Sequence, residues 1–306
     1  MFMKATQQPS FIVVGPPRTG TSWLRKVLEP YATLPSPSKE TRFFDLHYHR
    51  GPTWYDWHFP RDLKGPIGEI APTYFASSEA RARIAETLPR AKIVFTFRNP
   101  IERAVSLYRL KRAYGMFRWS FDEALRKDPE LINSGLYGSH LSGWQECFPR
   151  EQLLVSIYDD LVTSPQAFVD RITAFIGLSP ITVSQSQLQR VYSSERMTQP
   201  RSYIATRAAT SVANWCKSRH LDQLVESVRE SALLNLFLGG GESLPTISPS
   251  TLAELAETFR PEVDTLESQL ARKLEHWKSP NMRQEKEIPE GGYAAGSVAA
   301  TECSTP

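Results

Sequence analysis

The run Phe11-Ile-Val-Val-Gly-Pro-Pro-Arg-Thr-Gly-Thr-Ser-Trp-Leu24 leaves this chain few options. Four consecutive apolar residues, Phe11 to Val14, read as a short buried strand. Gly15-Pro16-Pro17-Arg18-Thr19-Gly20 is a turn, and Thr21 to Leu28 has helical composition, with Trp23, Leu24, Val27 and Leu28 at core spacing. A strand, a glycine-bounded turn and a helix start wrap backbone N–H groups around a phosphate. Gly15 and Gly20 occupy the two glycine positions of a P-loop and Ser22 its Ser/Thr position, but Thr21 stands where the motif has its Lys. The cation sits inside the loop instead, at Arg18, and the hydroxyls of Thr19, Thr21 and Ser22 supply further donors. Such a loop suits a phosphate, with its charge placed differently from that of an ATPase. The alternative is an ordinary strand-to-helix turn.

With 306 residues the chain can bury a sizeable core, as one large domain or two small ones. Its 41% hydrophobic and 23% charged residues are those of a soluble globular protein, and a net charge of +3 gives no basic stripe for nucleic acid. No apolar run approaches the ~20 residues that span a bilayer. Met1 to Ser10 is polar, without a signal-peptide pattern, and Cys147, Cys216 and Cys303 are widely spaced. Together these features predict a cytoplasmic protein with reduced thiols.

Further strands are predicted at Ile67 to Ile70, Lys92 to Arg98 and Leu153 to Tyr158. Helices are predicted at 79–88, 101–114, 121–127, 137–147, 165–176 and within 203–238, with a long helical region over 251–277 interrupted near Pro261. Alternating strands and helices specify an α/β fold with a central parallel sheet. Residues 46–66, rich in His, Trp, Tyr, Pro and Gly, read as a long structured loop. That loop and 179–249 are expected to shape a binding pocket. The expected domain covers 1–278, followed by a disordered tail over 279–306. Trp144, Trp215 and Trp277 are expected in the core, and the Lys and Arg residues of 109–118 on a solvated helix face.

In open parallel sheets ligands sit beyond the C-terminal ends of the strands. The 15–22 loop ends one predicted strand and Arg98 ends another; Ser106 follows eight residues on. An Arg with a nearby hydroxyl suits a phosphate monoester. Two phosphate sites on one sheet edge point to a nucleotide phosphorylated at two positions.

The stretches Gly15-Pro-Pro-Arg-Thr-Gly-Thr-Ser-Trp-Leu24, Lys39-Glu-Thr-Arg-Phe-Phe-Asp45 and Phe97-Arg-Asn-Pro-Ile-Glu-Arg-Ala-Val-Ser-Leu-Tyr108 resemble the sulfotransferase superfamily. The resemblance is closest to the heparan sulfate sulfotransferase-like branch and its soluble bacterial relatives. Gly135 to Trp144 and Leu153 to Gly177 extend it, so that it spans roughly 11–178, with a weaker echo in Phe259 to Trp277. It implies a P-loop-like three-layer α/β/α fold and transfer of a sulfuryl group from 3′-phosphoadenosine 5′-phosphosulfate (PAPS), without a metal. It further implies that Arg18, Thr19, Gly20, Thr21, Ser22 and Trp23 hold the 5′-phosphosulfate and that Arg98 and Ser106 hold the 3′-phosphate. Glu40 matches the branch's general base, which takes the acceptor's proton, and Arg18 would steady charge on the leaving oxygen.

The chain also departs from the branch. Arg18 replaces a common Lys, and Ile70 stands where the branch has a functional Lys after Gly-Glu. The late basic loop that closes over the nucleotide is not recognisable; Arg201, or Arg196, would replace it. His47, His49 and His58 are rival bases, or line an acceptor pocket with Trp54, Tyr55 and Trp57. The expected acceptor is a small molecule, glycolipid or carbohydrate, at a hydroxyl or an amine. Two alternatives remain open: a P-loop nucleotide kinase or NTPase, and a catalytically silent nucleotide-binding protein.

Overall fold

The computed structural model describes residues 8–192 and 246–281, together with Ala208 and Val212. Among them, four parallel strands form one sheet: β1 (Phe11–Val13), β2 (Gly68–Ile70), β3 (Lys92–Phe97) and β4 (Leu153–Ile157), in the order β2-β1-β3-β4. β1 is central, with Ile12 beside Glu69 on one neighbour and beside Ile93 on the other. β3 pairs with β4 on its other side, from Ile93 beside Leu153 to Phe97 beside Ile157.

The helices are α1 (Thr21–Leu28), α2 (Pro52–Asp56), α3 (Ser78–Thr87), α4 (Pro100–Ala113), α5 (Phe121–Lys127), α6 (Glu130–Asn133), α7 (Tyr137–Cys147), α8 (Tyr158–Thr163), α9 (Pro165–Ile176), α10 (Gln185–Tyr192) and α11 (Pro249–Leu270). Alternation along the strands sorts the core into two layers. Ile12, Val14, Ile93, Phe95 and Phe97 face a layer containing Phe75, Trp144, Val263 and Trp277. Phe11, Val13 and Val94 face Leu24 and Val27 of α1 and Val169 and Ile172 of α9. The sheet lies between them, giving the expected three-layer α/β/α fold. A third cluster joins α4 and α5 to the first half of α11 through Ala104, Tyr108, Phe121, Leu255 and Phe259.

Helices α5, α7 and α9 fall where the sequence puts them. Three departures have physical causes. The expected loop at 46–66 is largely coiled: a π-helical turn at Phe43–His47, a 3-10 turn at Tyr48–Arg50, then α2. Its aromatic rings draw it together, with Phe43 stacked on Tyr55 at 4.6 Å and edge-on to Phe44 at 5.0 Å. Helix α11 runs unbroken through Pro261, against the expected interruption. Proline inside a helix costs about 3 kcal/mol, but Phe259 and Val263 on either side are buried in two different clusters and hold the helix together. Short α6 and α8, of four and six residues, carry too little periodicity to be read from sequence, and α10 is not read from it either.

Trp144 and Trp277 are fully buried, as expected. Trp215, the predicted helix within 203–238 apart from Ala208 and Val212, and the tail beyond 281 lie outside the described residues. No helix among the described residues is long and apolar enough to cross a membrane.

Candidate active site

The 15–20 turn is pinned to β3. Val14 donates its N–H to Val94 O at 2.9 Å, and a Cβ on Gly15 would lie 2.2 Å from Thr96 Oγ1 and 2.6 Å from Thr96 N. Thr19 Oγ1 donates to Pro16 O at 2.7 Å, so within its 2.7 Å contact with Thr96 Oγ1 it accepts and Thr96 donates. Arg18 and Gly20 adopt left-handed backbone, at φ 77° and 93°. Gly20 O then accepts from Leu24 N at 2.9 Å, opening α1.

The side chains of two residues expected at the donor site, Thr19 and Trp23, are engaged within the protein. The Thr19 hydroxyl is fully buried and committed within the protein, so it braces the turn and offers a ligand nothing. The Trp23 indole packs edge-on against Phe168 and donates to Gln187 O at 2.8 Å, which makes it a core residue. Thr21 is buried in the first turn of α1, and Ser22 beside it is exposed.

Arg18 Nε donates to Ser106 Oγ at 2.9 Å, a bond between the turn and α4. Ser106 thus meets the loop arginine. Arg98 is held by Glu102 Oε2, 3.1 Å from its Nε, and its guanidinium lies 4.8 Å from the centre of the Tyr158 ring. Tyr137 OH donates to Arg98 O at 2.8 Å and fixes the backbone where β3 gives way to α4. Asn99 caps that helix by accepting from Ile101 N. Along α4 the expected solvated basic face is in part structural. Lys111 reaches Asp128 and Glu130 at 2.6 Å each, and buried Arg112 donates to Tyr108 OH and Trp119 O. The C-terminal segment docks on α8 next to Tyr158: Arg272 pairs with both oxygens of Asp160, and Asp159 accepts from Trp277 Nε1 and contacts His276.

Glu40 is half-buried on an irregular segment that passes between α1 and β2. Arg25 of α1 donates from Nη1 to Lys39 O and from Nη2 to Pro35 O, both at 2.8 Å. On the other side of Glu40, the Glu69 carboxylate accepts from Thr41 N at 2.8 Å and Thr41 Oγ1 at 2.7 Å. Burial, and then the charge of Glu69, push the Glu40 carboxyl up to about 7, against smaller opposing pulls from Arg42 and Arg25. Arg42 itself forks onto Asp45 Oδ2 at 2.7 and 3.1 Å.

The rival residues separate. Burial, then Arg50 and His49, push His47 below its ordinary value. His58 is buried, with Nδ1 2.9 Å from Trp54 O, and His49 is exposed. Tyr55 does not line an open pocket: it is 2% exposed and donates to Glu69 Oε2 at 2.8 Å. Trp57 is exposed and Trp54 half-buried. Arg196 and Arg201 lie outside the described residues.

Sequence reasoning assigned no role to Glu69, Arg25, Thr96 or Tyr158. The signal at Glu69 was a carboxylate inside a buried strand, between Gly68 and Ile70; that at Arg25 was a charge beside the apolar stripe of α1. Buried charges are rare without partners, so each marked a tertiary contact.

Residues 8–222 match the family model described as the sulfotransferase domain. The chain is 34% identical over 196 residues to bifunctional heparan sulfate N-deacetylase/N-sulfotransferase 2 of Bos taurus, an overlap of 56% of this chain and 22% of that one. It is 32% identical over 185 residues to heparan sulfate glucosamine 3-O-sulfotransferase 3B1 of Mus musculus, covering 57% and 47%. It thus spans less than half the length of these relatives. The sulfotransferase from Alicyclobacillus acidocaldarius shares the fold, with a TM-score of 0.64 at 22% identity over 89% of this chain and 99% of that one. With its turn, both arginines and Glu40 all inside the matched region, the chain belongs to the sulfotransferase family.

Proposed function

We propose that this protein transfers a sulfuryl group from PAPS to a hydroxyl or amine of a small-molecule, glycolipid or carbohydrate acceptor, with Glu40 as general base. The observation that carries this is Glu40 itself: a carboxyl near neutrality, tethered on one side to the helix that starts at the phosphate-type turn. A base poised near the working pH is the useful kind.

The residues present fit the donor. Arg18 and Ser22, with the backbone of 15–22 and the start of α1, suit a 5′-phosphosulfate; Arg98 and Ser106 suit a 3′-phosphate. The bond from Arg18 to Ser106 brings the two sets within one arrangement. PAPS supplies the activated sulfuryl group. Glu40 takes the acceptor's proton as the acceptor oxygen or nitrogen bonds to sulfur and the bond to the phosphate oxygen breaks. Arg18, permanently charged, stabilises the negative charge left on that oxygen. Because Thr21 stands in place of the P-loop Lys, an NTPase is disfavoured.

The test is a screen of acceptor mixtures with ³⁵S-labelled donor. Label transfer in the wild type, lost by on the order of 10²–10⁴ in Glu40→Gln while calorimetric binding of 3′-phosphoadenosine 5′-phosphate persists, is the expected result. Full turnover in Glu40→Gln would remove Glu40 from the mechanism. ATP hydrolysis without sulfuryl transfer would restore the kinase or NTPase alternative, and nucleotide binding with no transfer a silent binding protein.

A further inference from the structure

Residues 36–42 form neither helix nor strand, so no ladder of backbone hydrogen bonds fixes where Glu40 lies. Beyond the bond that Ser38 Oγ donates to Glu40 O at 2.8 Å inside the segment, two side chains from outside it hold the segment. Arg25, 9% exposed, spans Pro35 O and Lys39 O from α1. Glu69, fully buried on β2, holds the N–H and hydroxyl of Thr41. Both anchors rest on elements that also define the phosphate-type turn: α1 begins at its end, and β2 pairs with β1, which leads into it.

We propose that Arg25 and Glu69 are paired positioning residues that grip the Glu40 segment one residue before and one residue after the base, fixing it against the turn. This rests on Glu40 being the base. Burial pushes the Glu69 carboxyl above its ordinary range, and hydrogen bonds from Thr41, Tyr55 and Tyr74 favour its charged form against that push. Tyr55 OH donates to its Oε2 at 2.8 Å, and Tyr74 OH stands 3.3 Å from both oxygens. Burial, and next the Glu69 charge, push both phenols well above their ordinary value, so they keep their protons and remain donors. Thr41 Oγ1 in turn accepts from Phe43 N at 3.1 Å, which carries the grip into the following helical turn.

The two anchors bear opposite charges, and this gives them separable effects. Glu40 faces Arg25 from α1, Glu69 from β2, and Arg42 and Asp45 from its own segment. The Glu69 charge makes Glu40 harder to ionise and the Arg25 charge makes it easier. A pair that only stabilised the fold at a distance from Glu40 would lower the melting temperature and leave the Glu40 midpoint in place.

The experiment is a carboxyl-carbon NMR titration of protein labelled with ¹³C-glutamate, the Glu40 signal being identified by its loss in Glu40→Gln. In Glu69→Gln the Glu40 midpoint should fall from about 7, while staying above 4.5 because burial remains. In Arg25→Met it should rise. Binding of 3′-phosphoadenosine 5′-phosphate to Glu69→Gln should change by less than about threefold. Midpoints that stay put, or that move together in one direction, overturn the proposal. If Glu69→Gln does not fold, Arg25→Met decides alone, and an unshifted midpoint there is fatal. The titration needs no acceptor, so its failure is distinct from retained turnover in Glu40→Gln, which would sink the base instead.

Discussion

Arg98 shows how a single residue can be legible and yet incompletely understood from sequence. Its place at the end of β3 was readable from Phe97-Arg98-Asn99-Pro100, because a strand, a cap and a helix-starting proline are contiguous. Its companions were not, since Glu102, Tyr137 and Tyr158 reach it through the fold. Ser106 illustrates the same limit: spacing put it near Arg98, and the backbone path of the turn gave it to Arg18. If Arg98 binds the 3′-phosphate, Arg98→Ala should weaken binding of 3′-phosphoadenosine 5′-phosphate by at least the ~1.5–3 kcal/mol of a charged hydrogen bond. Unchanged affinity by calorimetry would move that phosphate elsewhere.

Among elements, β1, β3, α1 and α4 were clear because hydrophobic run, turn chemistry and capping agree within each stretch. The 43–58 region was opaque because aromatic packing, not local propensity, folds it into turns. The phosphate-type turn depends on a contact between elements that no local pattern reveals, Gly15 lying against Thr96. Replacing Gly15 with Ala would put a methyl group onto the Thr96 hydroxyl and backbone N, which cannot move aside without distorting β3. Overpacking of this kind costs about 1–3 kcal/mol. Gly15→Ala should therefore melt at a lower temperature and bind 3′-phosphoadenosine 5′-phosphate more weakly; wild-type values for both would show that the turn does not rely on this contact.

At the scale of the whole molecule, Glu40 couples proposed activity to pH in two opposite ways. Turnover should climb with pH through about 7 as the carboxyl ionises, provided Glu40 is the base. Stability should go the other way. Glu40 holds its proton more tightly in the folded chain than at its ordinary 4.5, so its contribution is full at acidic pH and falls away as pH rises towards 7. Half-exposure limits the loss to about 1–2 kcal/mol. Glu40→Gln should accordingly match the wild type in urea unfolding near pH 4 and exceed it at pH 8; equal stability at both would mean that the ionised carboxylate costs nothing. The strand order β2-β1-β3-β4 carries a consequence for how such a protein can diversify. The proposed donor contacts spring from the two inner strands, β1 and β3, whereas the Glu40 segment hangs on β2, which among the described strands pairs with β1 and on its other side bonds Thr33 through Gly68 N. Insertions and substitutions between α1 and β3 would therefore remodel the proposed acceptor side while leaving the proposed nucleotide half in register. On the proposed function, drift in acceptor choice would thereby be uncoupled from loss of the cosubstrate, so that one scaffold could supply a family of specificities.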